Sequence, residues 1–291
     1  MKKFGFTLRA AESTGVGVLR MADVLIAAAL CPGRRPHRSP LEEVHFFRTT
    51  TKRLRALLQL IRPALARTVF ERENARLKRV ADRLALFRDR AVASETLQAL
   101  GLPAGILRQR KPSPGQRARA LQQAARDLKE ARGRWEKLRI RGEGWVVIGP
   151  GLLRVYRQAR RRMKAAVGTQ DDRAFHRWRI RVKQLSYQLQ WFETVWPKRF
   201  GNMRQRLHQL EEILGCDHDL VSLRALLEIA APLSDDRAAL GEALQAADRK
   251  SRRLRRAAGC LGAKIFREPP RRFRHGCQQH WLSWVKTAGD R

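Results

Sequence analysis

Apolar residues along this chain recur at spacings of three and four, and outside short runs they do not alternate with period two. That pattern predicts helices and argues against a sheet. It is sharpest at Val44, Phe47, Leu54, Leu58 and Ile61, which share one stripe of an amphipathic helix. Ser39, Pro40 and Glu42 have the types and spacing of a capping box that opens this helix, and Pro63 stops it near Arg62. The stripe recurs at Phe175, Trp178, Val182, Leu185, Leu189 and Phe192. Asp171 or Asp172 can cap that second helix, which closes before Pro197.

The remaining helical windows fall into two sets in the same order. Besides the helix opened at Ser39, the first set predicts helices over residues 15–30, 71–100 and 116–138, with residues 31–40 as a turn-rich cationic linker. Residues 141–151 interrupt the helical period. Besides the helix bearing His176, the second set predicts helices over 151–167, 204–229 and 234–258, the last capped at Ser234-Asp235-Asp236. A short helix at 274–287 follows the breaker Glu268-Pro269-Pro270. The sets also match in detail. Gly17-Val18-Leu19-Arg20 parallels Gly151-Leu152-Leu153-Arg154, and Arg88-Asp89 stands where the second set has His218-Asp219. A unit that recurs with its helices in order implies duplication. The expected fold is all-α: a helical bundle of two pseudo-symmetric four-helix halves, residues 15–140 and 151–258, around a basic central groove. A single domain over 1–291 is expected, with 259–291 as its C-terminal tail.

Charge then sharpens the picture. The 43% of hydrophobic residues suffices for a core, but 62 Lys and Arg against 27 Asp and Glu leave a net charge of +35. The isoelectric point is about 11.7. Self-repulsion on that scale opposes compaction, and a polyanionic partner offsets it. Nucleic acid, inorganic polyphosphate and an anionic membrane surface are the candidate classes. A GC-rich genome that favours Arg over Lys accounts for part of the excess and not for all of it. Four cysteines with no Cys-x-x-Cys spacing fit a reducing cytosol. Lys2 and Lys3 resemble the start of a signal peptide, yet Arg9, Glu12, Arg20 and Asp23 interrupt its apolar part. The apolar run 24–30 is far too short to span a bilayer. A soluble, cytoplasmic protein without a membrane partner is expected, and no pattern sets its oligomeric state.

Candidate chemistry lies beside the two apolar stripes. On a helix, His45, Arg48, Lys52 and Arg55 fall within an arc of roughly 80°. His176, Arg179 and Lys183 repeat the first three. Cations three and four residues apart on a helix stand about 5–6 Å from one another. Arg offers a planar fork for two phosphoryl oxygens, and Lys a mobile point charge. The histidines can donate from a ring N–H and take a proton more readily near a polyanion. The plainer reading of each row is a solvated helix face with a packing histidine; recurrence at matched positions favours anion contact for the Arg and Lys residues and leaves both readings open for the histidines. Arg20 and Arg154 hold matching places on the preceding helices, and Arg157 and Arg160 follow, so these join as a second tier of groove residues. The row cations are expected outside the core, so that reversing Arg48, Lys52, Arg179 and Lys183 together leaves helicity intact.

Other constellations are weaker. Cys216-x-His218 and His275-x-Cys277-x-x-His280 use metal-ligand residue types in no recognised framework, so no metal is expected. Trp135, Trp178 and Trp191 lie on or near apolar stripes and belong to the core rather than to a base-stacking platform. No Gly-rich phosphate loop, nucleophile elbow or His-Glu-x-x-His occurs, and the carboxylates do not cluster for a two-metal hydrolase. No catalytic residue and no cofactor is expected.

These residues resemble the CHAD family, the conserved histidine α-helical domain. The likeness rests on HFFRTTTKRLRALL (45–58), LALFRDRAV (84–92), GLLRVYRQAR (151–160), HRWRIRVKQLSYQL (176–189) and LGCDHDLV (214–221). It implies an all-helical domain of two similar halves whose basic groove binds inorganic polyphosphate, in a protein associated with polyphosphate granules. Nothing in the chain resembles the acidic β-barrel triphosphatase that some members carry, so binding without cleavage is expected. Ser186 stands where the first row has Arg55, and Gln184 where it has Arg53, which makes the second row less basic. RNA ranks second as a partner for the same surface.

Overall fold

The computed structural model describes residues 7–31, 39–101, 113–230 and 237–289. Among the described residues there are no strands. The helices run in the order α1 (Thr14–Leu30), α2 (Pro40–Ile61), α3 (Arg67–Arg83), α4 (Ala85–Gln98), α5 (Pro114–Glu136), α6 (Trp145–Thr169), α7 (Asp172–Trp191), α8 (Pro197–Ala230), α9 (Arg237–Ile265) and α10 (Pro270–Gly289). The fold class is all-α, as the periodicity requires.

Helix starts follow local chemistry. Ser39 and Glu42 exchange both bonds of a capping box at the head of α2. Asp171, rather than Asp172, caps α7, its carboxylate accepting from the Ala174 N–H at 2.9 Å. Each histidine-bearing helix then sits among the helices of its own set. α2 packs on α1 and α3, with α5 against both of those; α7 packs on α6 and α8, with α9 against both of those. The sets meet through α2 on α6, α2 on α7 and α4 on α8. Both apolar stripes lie in one continuous core, which also holds Trp135, Trp178 and Trp191. Burial of each large apolar side chain there contributes about 1.5–3 kcal/mol. A smaller cluster of Ala93, Leu97, Leu223, Leu227, Leu240 and Ala243 ties α4 to α8 and α9.

The structure departs from the sequence pattern at three places. The helix expected over 71–100 is two, α3 and α4, separated at Leu84. Arg48 of α2 donates to the Ala81 carbonyl at 2.9 Å, giving a partner to one of the carbonyls exposed where α3 ends. Residues 145–151 do not break the helical order, because α6 begins at Trp145 and carries Pro150 inside it. Pro150 withholds an N–H from the carbonyl of Val146, but Val146 is 64% exposed and water can serve that carbonyl. Gly144, at φ +64°, makes the turn into this helix. Finally, α8 starts at Pro197, α9 runs on to Ile265 and α10 starts at Pro270, so all three exceed their expected spans. Proline in the first turn costs no intrahelical bond, which explains both proline starts. The Ser234-Asp235-Asp236 cap and most of the 31–40 linker lie outside the described residues.

α6 and α2 cross at the closest range that backbones allow. A Cβ placed on Gly151 would stand 1.7 Å from the Leu60 carbonyl oxygen. Only glycine permits that approach, and it sets α6 beside the cationic row of α2.

Candidate anion-binding site

α2 and α7 lie against one another. The Gln188 amide of α7 donates to the Ala56 carbonyl of α2 at 3.0 Å in the buried interior. Arg53 of α2 places its guanidinium 5.5 Å from the centre of the Tyr187 ring of α7. The two rows consequently reach a common region. His176 is held below its ordinary value by burial first, then by the charges of Arg179, Lys52 and Arg177. Lys52 comes from α2 and the others from α7, so cations of both helices converge on one imidazole. The His176 ring lies 4.7 Å from the ring of His218 on α8. Arg179 is 7% exposed. Burial, with Glu211 nearby, pushes the Tyr187 phenol up to about 12 against the opposing charges of Arg53 and Arg179.

A second cluster forms where α2, α6 and α7 meet. Arg181 is brought down to about 10 by burial and then by the charges of Arg162, Arg154, Arg55 and Arg62. These cations come from α6, from α2 and from the turn Arg62–Ala64 that follows it. Arg181 donates to the Gln184 side-chain oxygen at 2.6 Å, a neutral partner that leaves its charge uncompensated. The α2 row joins the two clusters. The charge of Lys52 acts on His176, and that of Arg55, three residues on, acts on Arg181. Residues three apart on a helix are neighbours at about 5–6 Å. The result is a cationic path from His218 and His176, past Lys52 and Arg55, to Arg181 and Arg154.

The sequence-predicted residues distribute unevenly around this path. Lys52, Arg55, Arg154, His176 and Arg179 belong to the two clusters. Arg55 also donates to the Asn74 side-chain oxygen at 3.2 Å. Lys183 is half-buried on α7, and Arg157 is exposed on α6. Arg48 is anchored on the end of α3. His45 is exposed and lines a cavity of about 490 Å³ with Glu95, Cys216, Asp219 and Lys250. Arg20 is turned to the N-terminal segment, where its guanidinium meets the Glu12 carboxylate and the Thr7 carbonyl. The expectation that all row cations stand outside the core is corrected at Arg179. A carboxylate put there would be buried, so charge reversal at Arg179 tests folding as much as binding.

Several functional neighbours were not legible. Arg181 is two residues from Arg179 and so falls about 200° around α7, off the predicted row. Arg154 and Arg162, eight apart on one face of α6, were the available signal for a second cluster. A further carboxylate that organises the site from behind is Asp217. Asp217 is 2% exposed and accepts from Ser251 and from Arg255, the latter at 3.0 Å. Arg255 also donates to the Gln170 carbonyl at 2.6 Å and pairs with Asp172, which pairs in turn with Arg224. This network fixes the start of α7, four residues before His176. The side chains of Arg88 and Asp89 lie outside the described residues. In the tail, Cys277 is buried and its thiol pushed up to about 12, while His280 stacks on Trp196 at 3.6 Å. Among the described residues no group of three or more His, Cys, Asp and Glu could hold a metal ion. No described helix is long and apolar enough to cross a membrane.

Comparison with known proteins agrees with this architecture. The crystal structure of the CHAD domain from the plant Ricinus communis shares the fold, with a TM-score of 0.59 over 92% of this chain and 96% of that one, at 17% sequence identity. No curated protein matches the chain. The model of the CHAD domain matches residues 27–228, which span both rows and both clusters. The chain belongs to the CHAD domain family.

Proposed function

We propose that this protein binds inorganic polyphosphate along the cationic path between α2 and α7, without cleaving it, in the cytoplasm at polyphosphate granules. One observation carries the reading: α2 packs directly on α7, through Gln188 on the Ala56 carbonyl and Arg53 over the Tyr187 ring, so that the charge of Lys52 acts on the cluster around His176 and that of Arg55 on the cluster around Arg181. A compact anion would fill one cluster. A flexible phosphoryl chain fills both, and needs spaced donors rather than a closed pocket. His176 and Arg181 are held low by burial first and then by neighbouring like charge, and a polyanion relieves the second of these. The family resemblance of the two His-x-x-Arg-x-x-x-Lys rows points to the same ligand. Burial of Trp135, Trp178 and Trp191 removes them from any role in stacking bases, which disfavours RNA on this surface.

The deciding measurement is a titration of the full chain with long-chain polyphosphate and with RNA at two salt concentrations, with orthophosphate as control. Affinity for either polymer falls as salt rises. Polyphosphate is expected to displace bound RNA at equal charge concentration, with orthophosphate inert and none released from the polymer. RNA that resists displacement would overturn the polyphosphate assignment, and released orthophosphate would overturn the non-catalytic one.

A further inference from the structure

We propose a second, separate site for a run of phosphoryl groups, in the cavity enclosed by the start of α8, the end of α9 and the start of α10. The cavity measures about 570 Å³, within the usual range for small-ligand sites. Arg199, Arg206, Lys264, Arg267 and Arg272 line it, and Glu268 is the one carboxylate among its lining residues. Glu268 pairs with Arg199, which leaves the other four cations as the excess charge of the cavity. Those four are exposed, so their head groups can turn toward an entering anion.

The walls are fixed before any ligand arrives. The Tyr156 hydroxyl of α6 donates to the Glu268 carbonyl at 2.8 Å, and Arg160 donates to the Phe266 carbonyl at 3.0 Å. The Tyr156 ring stacks on Phe273 of α10 with centroids 4.0 Å apart. Arg199 lies 5.4 Å over the Trp196 ring. The segment between α9 and α10 is therefore pinned from two sides, which lowers the ordering cost of binding.

This cavity is not a continuation of the α2–α7 path. Arg162 of α6 faces the Arg181 cluster, whereas Arg160 holds the cavity wall. Two residues apart, they point about 160° away from each other around the helix. α6 stands between the two sites. The shared ligand chemistry is a short phosphoryl run, supplied by inorganic oligophosphate or by the triphosphate of a nucleotide. With both sites occupied, one protein would hold two segments of polymer and join separate chains.

The experiment is calorimetric titration of the full chain with tripolyphosphate. A cavity variant, Arg206→Gln with Lys264→Gln and Arg267→Gln, changes exposed residues alone. It is compared with a path variant, Lys52→Gln with Lys183→Gln, and with a decoy, Arg119→Gln with Arg126→Gln and Lys129→Gln on α5. The parent should show two classes of site. The cavity variant should lose one of them by tenfold or more, and the path variant should keep that one. An unchanged isotherm in the cavity variant overturns the second site, as does an equal loss in the decoy. Loss of all binding in the path variant does so too. Loss of both classes in the cavity variant with none in the path variant would instead strike at the α2–α7 path. ATP matching tripolyphosphate at the cavity identifies nucleotides as ligands, and ATP no better than orthophosphate identifies the inorganic chain.

Discussion

Gly17 and Gly151 correspond in the sequence repeat, yet they face different neighbours. A Cβ on Gly151 would strike the Leu60 backbone of α2 at 1.7 Å, whereas one on Gly17 would meet the Glu12 side chain at 2.7 Å. In the second set the first helix lies directly against α2. In the first set the matching surface is covered by the N-terminal segment, whose Leu8 N–H donates to the Trp191 carbonyl at 3.2 Å. The arginine three residues further on inherits that difference. Arg20 is neutralised by Glu12, while Arg154 has Arg62 and Arg181 for company. Matched residues thus serve one set as an internal ion pair and the other as part of a cluster in which cations predominate. What packs opposite a position, and not the residue type alone, decides its role.

The largest test of this contrast is steric. Gly151→Ala forces α6 off the α2 backbone and should cost about 3 kcal/mol. Gly17→Ala can be absorbed by rotation of the Glu12 side chain and should cost about 1 kcal/mol or less. Equal losses in denaturant unfolding would show that the two crossings are equivalent after all.

The next test separates the two arginines. Arg20→Gln leaves Glu12 half-buried without its cation, and should cost about 1–3 kcal/mol of stability while leaving polyphosphate affinity nearly unchanged. Arg154→Gln should do the reverse, weakening binding several-fold at low salt with stability preserved. If Arg20→Gln weakens binding as much as Arg154→Gln, the N-terminal segment must open to admit ligand.

Arg181 offers a case where function and stability oppose one another. Its neighbours Arg162, Arg154, Arg55 and Arg62 all repel it, so Arg181→Gln should raise the unfolding temperature and lower polyphosphate affinity together. A fall in both would mean that Arg181 supports the fold rather than the ligand.

The smallest effect expected is that of pH. His176 titrates below 6.5 in the free protein, through burial and then the charges of Arg179, Lys52 and Arg177. A bound polyanion raises that value, so binding takes up a proton. The extra affinity is complete below the free-protein value and is lost as pH rises through the bound-state value. Affinity should therefore be a few-fold higher near pH 5.5 than near pH 8, and His176→Gln should flatten the difference. Without ligand the sign differs. The unfolded imidazole protonates near 6.5 and the folded one only lower, so stability falls as pH drops through that window.

Much of this was legible in the residues. The stripes beside His45 and His176, the Ser39–Glu42 cap and the row spacing all appear in the structure as the period of a helix dictates. The break at Leu84 was not legible, because it carries neither proline nor glycine and coincides with the side chain of Arg48 arriving from another helix. Nor was the passage of α6 through Pro150, which depends on an exposed Val146. Asp217 carried no signal in the sequence; only the arrival of Ser251 and Arg255 marks it as structural.

The sequence by itself determined that the chain is helical, where most helices begin, and which cations share a face with which histidine. Those are consequences of backbone geometry over a few residues, where spacing translates directly into angle. Only the tertiary structure decided that the charge of Lys52 acts on His176, that the charge of Arg55 acts on Arg181, and that Arg20 is withdrawn from the path by Glu12. Those meetings depend on how helices remote in the chain cross, and crossing is set by packing at points such as Gly151 on Leu60.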